Sequence, residues 1–377
     1  MKRVLIFSLA YYPHVGGAEV AIKEVTDRIS DLEFHLITLR FSNADAREEK
    51  IGNVVVHRIG NGSGKMHKFL FQFNAAHVAW RLHRIRKFDA LWAMMAHSAG
   101  VPAAFFSLFH PDVPYALSLQ EGDPIPDIER TMLPLWPLFT RAFTRAAIIL
   151  PLSTYLARWA RARHFTGPIE IVPNGVSVQA FAGAHIAHEG TILITTSRLV
   201  HKNAVDDVIR ALPLLPETVR FRILGSGPEE AALRALSHAR GVEHRVEFLG
   251  HIDRSHMPRY LHSADIFIRP SRTEGFGISF MEAMAAGLPV IATQEGGIAD
   301  FLFDAKRNPD REATGWAVDK DSPEQIAEAV QDILAHPEQV ARVTATARQM
   351  VAEKYEWNRI AKQMRSVFNR LLDTGLS

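Results

Sequence analysis

Ile266-Phe267-Ile268-Arg269 runs into Pro270-Ser271-Arg272-Thr273-Glu274-Gly275-Phe276-Gly277 and then into Ile278-Ser279-Phe280-Met281-Glu282-Ala283-Met284-Ala285-Ala286. A short apolar run, a glycine-bearing loop and a helical stretch make one strand–loop–helix unit. Gly287 and Pro289 supply an ordinary helix stop. Apolar runs without alternation belong to strands buried on both faces, and such strands separated by helices imply a parallel sheet.

The same unit recurs in both directions. Downstream of Asn174-Gly175, the runs Ile192–Thr196, Arg220–Leu224, Arg245–Phe248 and Val290–Thr293 read as further strands with helices between them. Upstream, Arg3–Ser8, Phe34–Leu39, Val54–Arg58, Ala90–Met94, Tyr115–Leu119, Ile148–Leu152 and Ile169–Val172 read as strands, with helices over Ala18–Ile29 and about Phe69–Arg86. The expected fold is α/β, with two Rossmann-like doubly wound domains facing across a cleft. The first spans 1–180 and the second 181–356, with Phe181–Gly190 as a polar linker. A last helix, about 357–377, is expected to pack back on the first domain.

Composition narrows the function. The 377 residues are 47% hydrophobic and 22% charged, the balance of a soluble globular protein. A formal net charge of +2 provides no field that argues for nucleic acid. There is no cysteine, which excludes disulfides, thiolate zinc sites and a cysteine nucleophile. The opening MKRVLIFSLAYYP has an apolar run too short for a signal peptide and reads as a first strand. Leu91–Phe109 is interrupted by His97, Ser98, Gly100 and Pro102, so no transmembrane segment is expected. No spacing among the 18 histidines resembles a metal site.

Ligands of open parallel sheets bind beyond the carboxyl ends of the strands, so the strand-to-helix loops carry the functional reading. In the quoted stretch, the start of the helix near Ile278 offers unpaired N–H groups and a positive dipole end, which suit a phosphate. Glu274 precedes that end, and Glu282 lies ~6 Å further along the helix axis. The two carboxylates bracket Gly275, Phe276 and Gly277. They are either a ligand-binding pair or a dipole partner and a solvated helix face. Arg198 and Lys202 follow the strand Ile192–Thr196 and either neutralise a diphosphate or are plain surface cations. Gly225-Ser226-Gly227 lacks the third glycine of the dinucleotide fingerprint and indicates a backbone close to a ligand or to a neighbouring loop. Gly296-Gly297 precedes an expected helix, and Gly16-Gly17 allows a close ligand approach or simply a tight turn.

Taken together these residues resemble glycosyltransferase family 4, the retaining transferases of the GT-B fold, along nearly the whole chain. The resemblance is carried by Glu-x7-Glu at Glu274 and Glu282, by Gly16-Gly17, Val172-Pro173-Asn174-Gly175-Val176, Arg198 with Lys202, Gly225-x-Gly227 and Glu295-Gly296-Gly297. It implies a second domain that binds a nucleotide sugar, with Arg198 and Lys202 on the diphosphate, Glu282 on the ribose and Glu274 on the transferred sugar. The first domain would bind the acceptor near Gly16-Gly17, and no metal or other cofactor would be needed. His97 matches a frequent family histidine and also reads as a satisfied loop residue. Gln120 stands where members usually carry a histidine; it donates and accepts hydrogen bonds but does not titrate near neutral pH. Ser177 and Asp300 stand where Asp and Glu are usual.

The acceptor is read as a glycan or a lipid-linked molecule. Lys65, Lys68, Arg81, Arg84 and Arg86 interleave with Phe69, Leu70, Phe71, Phe73 and Trp80. That pattern suits either a helix packed into the first domain or one lying on an anionic membrane surface. The expected localisation is cytoplasmic, at the inner membrane face if the second option holds. A nucleotide-sugar epimerase or hydrolase, and a non-catalytic nucleotide-sugar-binding module, are the competing functions.

Overall fold

The computed structural model describes residues 1–374 and divides into two compact units, residues 1–174 with 357–377, and residues 175–356. The boundary lies ahead of the expected linker because Val176 already pairs with Glu356 in the second unit.

The first unit contains β1 (Lys2–Phe7), α1 (Gly17–Asp27), β2 (Leu32–Leu39), β3 (Glu48–Ile51), β4 (Val54–Ile59), α2 (Lys65–Arg86), β5 (Ala90–Met94), α3 (Val101–Phe106), β6 (Tyr115–Leu119), α4 (Ile125–Met132), α5 (Trp136–Thr144), β7 (Ile148–Pro151) and α6 (Thr154–Ala162). Its sheet has the order β3-β4-β2-β1-β5-β6-β7. All pairings are parallel except that of β3, which runs antiparallel on the edge beside β4. Two sequence expectations are corrected here. β3 was not foreseen because Glu48-Glu49-Lys50-Ile51 is charged and exposed, as an edge strand can be. Ile169–Val172 is not a strand; it makes one isolated bridge, between Ile169 and Ile149.

The second unit contains β8 (Thr191–Thr196), α7 (Val205–Ala211), β9 (Val219–Leu224), α8 (Glu230–Ala239), β10 (Val246–Gly250), α9 (Met257–His262), β11 (Ile266–Arg269), α10 (Ile278–Ala285), β12 (Val290–Ala292), β13 (Trp316–Ala317), α11 (Pro323–Ala335) and α12 (Pro337–Lys354). Its parallel sheet has the order β10-β9-β8-β11-β12-β13. The two-residue β13 was too short to leave a sequence signal. Gly296–Asp300, expected to open a helix, forms a single 3-10 turn.

Each sheet reverses its winding direction between its first and fourth parallel strands, β1 beside β5 and β8 beside β11. A doubly wound sheet opens its ligand crevice at that reversal, outside the carboxyl ends of the two strands. The fold therefore singles out the loops after β1, β5, β8 and β11.

The last helix, α13 (Trp357–Thr374), belongs to the first unit. Trp357, Ile360, Met364, Val367, Phe368 and Leu371 join the core formed by Val4, Ile6, Phe34, Leu36 and Trp92. Phe368 is fully buried, with its ring 5.7 Å from Phe34 and 5.5 Å from Trp92. Replacement of a buried aromatic by alanine costs about 3–5 kcal/mol through lost transfer energy and the cavity left behind. Phe368→Ala is therefore expected to lower the unfolding free energy of the first unit by that amount, as read from a urea titration. A loss below about 1 kcal/mol would show that α13 contributes little to this core.

Candidate functional site

In the second unit the residues nominated after β8 and β11 come together through a polar network. Arg269, the last residue of β11, is buried and directs its guanidinium at four acceptors. It donates to Ser271 Oγ at 3.2 Å, Ser279 Oγ at 2.7 Å, Asn203 Oδ1 at 3.2 Å and the Glu274 carboxylate. Glu274 is itself buried, and its second oxygen accepts from the Gly275 amide at 3.0 Å. Asn203 then reaches the other loop, donating to the Arg198 carbonyl at 2.7 Å. Arg269, Asn203 and Arg198 thus form one connected strap across the β8 and β11 loops.

Arg272 makes a second strap. Its amide donates to the Lys202 carbonyl at 2.7 Å, and its guanidinium engages Asp206 at 2.9 Å, Asp207 at 3.0 Å and Asp321 at 2.6 Å. The acidic ring around Arg272 outweighs the cost of burying it and holds its proton even more firmly than usual. Sequence reasoning missed Arg269 and Arg272. Their carboxylate partners lie as far as 66 residues away, and no local spacing announces them.

The residues nominated for donor binding stand on this frame. Arg198 is exposed, with no carboxylate against its guanidinium among the described residues, while Lys202 is half-buried on the same loop. Gly277 caps α10 in a left-handed conformation (φ +85°), where a Cβ would lie 2.6 Å from the Phe280 ring. The amides of Ile278 and Ser279 open that helix and have no acceptor among the described residues. Free N–H groups beside the exposed Arg198 guanidinium make a corner of positive potential, which suits an anion. Glu282 sits one turn into α10, buried, with Arg254 3.0 Å away. Burial pushes its carboxyl above the usual range, and Arg254 opposes that rise only in part.

The other glycines of this unit fit backbone against backbone. A Cβ on Gly225 would lie 1.8 Å from the Ser197 carbonyl oxygen, and one on Gly227 would lie 2.3 Å from that of Leu199. Of the two options open for this turn, the structure shows the neighbouring loop. Gly296 (φ +64°) similarly presses on Glu274, where a Cβ would meet the carbonyl oxygen at 2.1 Å, and the Gly297 amide donates to that oxygen at 2.9 Å. Phe276 is buried against Phe301 and Tyr355 and anchors the loop from below.

In the first unit, the loops after β1, β5 and β6 carry the nominated residues. Gly16 caps α1, and its amide donates to the Glu19 carboxylate at 2.7 Å; Gly17 is the first residue of the helix, and both glycines are exposed. His97 sits in a π-helical turn (Ala96–Gly100), with Nδ1 3.3 Å from the buried Glu121 carboxylate. The same oxygen of Glu121 accepts from the Ala96 amide at 2.6 Å. Glu121 is therefore the partner that orients His97, a link the sequence did not reveal. Gln120 forms a reciprocal amide pair with Asn174, both bonds being 3.0 Å.

Residues 179–350 match the family model for group 1 glycosyl transferases, and residues 15–180 match that for glycosyltransferase family 4. Each match is to a glycosyltransferase family model, and the chain spans about 60% of the length of the first curated relatives it matches. A GDP-mannose-dependent phosphatidylinositol monomannoside mannosyltransferase of Mycobacterium tuberculosis is 30% identical over 236 residues, 56% of this chain and 60% of that protein. An uncharacterized glycosyltransferase of Methanocaldococcus jannaschii is 22% identical over 99% of both chains. Among solved structures, sucrose-phosphate synthase of Thermosynechococcus elongatus superposes with a TM-score of 0.83 at 17% identity, covering 99% of this chain and all of that one. Anabaena HepE in complex with UDP-glucose gives 0.78 at 17% identity over 98% of this chain and all of that one. At these identities the structural likeness establishes the fold alone.

The raised carboxyl of Glu282 gives a test with a defined sign. A carboxyl whose folded pKa exceeds its unfolded value binds more protons in the native state, so stability falls as pH rises between the two values. Glu282→Gln is expected to remove that slope just above the ordinary carboxylate range, as read by thermal midpoints measured from pH 4 to pH 7 (about the range of carboxyl titration). An unchanged slope would place the charge compensation entirely on Arg254.

Proposed function

We propose that this chain transfers a hexose-type sugar from a nucleotide diphosphate sugar to a glycan or lipid-linked acceptor, with retention of anomeric configuration and without a metal. The observation that carries the reading is the corner built by the β8 and β11 loops. Arg198, Lys202 and the free amides of α10 supply positive charge where a diphosphate develops its negative charge on departure. Glu282 is one turn from the amides, where it can accept from ribose hydroxyls. Glu274 faces the transferred sugar. Its two oxygens already take bonds from Arg269 and Gly275, but a carboxylate has about four acceptor positions, so capacity remains.

In the reaction the bond between the anomeric carbon and the phosphate oxygen breaks, and the electron pair stays on the phosphate. The acceptor oxygen forms its bond to the same face of the carbon, and its proton passes to the departing phosphate. Two fixed cations and a helix amino end stabilise the diphosphate in the place a metal ion would take. UDP-glucose and GDP-mannose, named for the similar proteins, are the first donors to test.

Glu274→Gln preserves volume and hydrogen bonding to Arg269, whereas Glu274→Ala strands a buried guanidinium and costs about 3–5 kcal/mol of stability. The Gln variant is expected to lose roughly 10²–10³-fold in turnover while keeping its affinity for the nucleotide. Full turnover in that variant, or activity that collapses in EDTA and returns with magnesium, contradicts the reading. The Gln120–Asn174 pair favours a second reading, a donor-binding module without turnover. Donor binding with no product from any acceptor would select it.

We also propose that the chain works at a membrane surface. No described helix is long and apolar enough to cross a membrane. α2 nevertheless carries apolar residues on two faces: Phe71, Ala75, Ala76 and Ala79 are buried, while Met66, Phe69, Leu70 and Trp80 are exposed beside Lys65, Lys68 and Arg84. Arg84 lies over the Trp80 ring at 5.2 Å. Such a face suits anionic lipid. Co-sedimentation is expected with vesicles containing phosphatidylglycerol and not with neutral vesicles, and weaker for Phe69→Ser/Leu70→Ser. Absence of binding at low salt removes the proposal.

A further inference from the structure

The sequence shows no metal-type spacing of histidines, yet the fold assembles a cluster at the amino end of the second sheet. His185 and His188 lie in the segment leading into β8, and Asp265 immediately precedes β11. The ligating atoms of all three lie within 4.8 Å of one another. His185 Nε2 is 3.3 Å from Asp265 Oδ1, and His188 Nε2 is 3.4 Å from Asp265 Oδ2. The spacing is that of ligands around a shared ion: tetrahedral zinc with bonds of ~2.0–2.1 Å sets its ligand atoms roughly 3.4 Å apart.

A second observation points the same way. Both ring nitrogens of His188 are buried and make no hydrogen bond among the described residues. Nε2 faces the Asp265 carboxylate without hydrogen-bond geometry and Nδ1 faces no acceptor or donor, so the two buried nitrogens are costly unless something else engages them. Asp265 is fixed independently of the histidines. Its Oδ2 accepts from the Ile192 amide at 2.7 Å, and its own amide donates to the Ile192 carbonyl at 2.9 Å. The carboxylate is thus pre-oriented by the paired strands, as the partners of metal ligands commonly are. The segment bearing the histidines is held too: the Ile186 amide donates to the His262 carbonyl at 2.7 Å, and Gly183 passes so close to the His262 ring that a Cβ would lie 2.5 Å from Nε2.

We propose that His185, His188 and Asp265 bind one zinc ion, with water in the fourth position. Two neutral imidazoles and a carboxylate form a borderline-soft set that prefers zinc to magnesium or calcium. The ion is structural. It fastens the segment 184–190 to the amino ends of β8 and β11, whereas the loops carrying Arg198, Lys202 and Glu274 leave the carboxyl ends of those same strands. Sugar transfer therefore does not pass through it.

The test uses full-length protein without affinity-tag histidines, stripped with a chelator and dialysed. Titration with zinc chloride at pH 7.5 in a calorimeter is expected to give one site per chain and a higher thermal midpoint, since an ion that binds only the folded form stabilises it by mass action. His185→Ala and His188→Ala should each weaken the site at least about tenfold without altering nucleotide affinity. Cobalt(II) should give the visible bands of a tetrahedral centre in the wild type and not in the double variant. Circular dichroism checks that the variants fold. No saturable zinc binding, or full-affinity binding by the double variant, overturns the proposal. Neither result bears on the transferase reading, which is judged by turnover.

Discussion

The buried ion pair between Arg269 and Glu274 is the constraint on which the candidate site depends. A guanidinium at the end of a buried strand must find acceptors for its donors, because an unsatisfied buried charge costs several kcal/mol. Arg269 finds them in Ser271, Ser279, Asn203 and Glu274, which lie on both loops flanking the reversal of the sheet. Satisfying one arginine therefore fixes the geometry of the β8 loop, the β11 loop and the start of α10 together. Arg272 repeats the device at the rim, where three aspartates surround it.

The glycines complete that frame by contact. Gly225, Gly227 and Gly296 each bring one loop backbone onto another at distances no side chain allows. A site made of free amides needs such rigidity, since amides preorganised toward a charge do not have to reorient as that charge develops. Arg198 is left as the exposed cation on a loop whose every neighbour is held.

Much of the fold was legible because a parallel sheet is written in local signals. Apolar runs such as Ala90–Met94 and Tyr115–Leu119 are buried on both faces and match the observed strands residue for residue. The elements that escaped carry little local signal: β3 is charged and lies on an edge, and β13 has two residues. The loops of the site were also legible, since strand, glycine and helix succeed one another there. What holds them was not. The contacts of Arg269 with Asn203, Glu121 with His97, Glu282 with Arg254 and Asp265 with His185 join residues far apart in sequence, and only folding brings them together. Gly225 and Gly227, left open by the sequence between a ligand and a neighbouring loop, seat one loop on another, a distinction that depends on where the neighbouring backbone runs.

The central claim is that the amino end of α10 and the cation of the β8 loop receive a diphosphate. A crystal structure with a bound nucleoside diphosphate tests it most directly. The account predicts phosphate oxygens within hydrogen-bonding distance of the Ile278 and Ser279 amides and of the Arg198 guanidinium, with the ribose hydroxyls on Glu282. A nucleotide bound in the second unit away from those amides, with Arg198 turned to solvent, would contradict it.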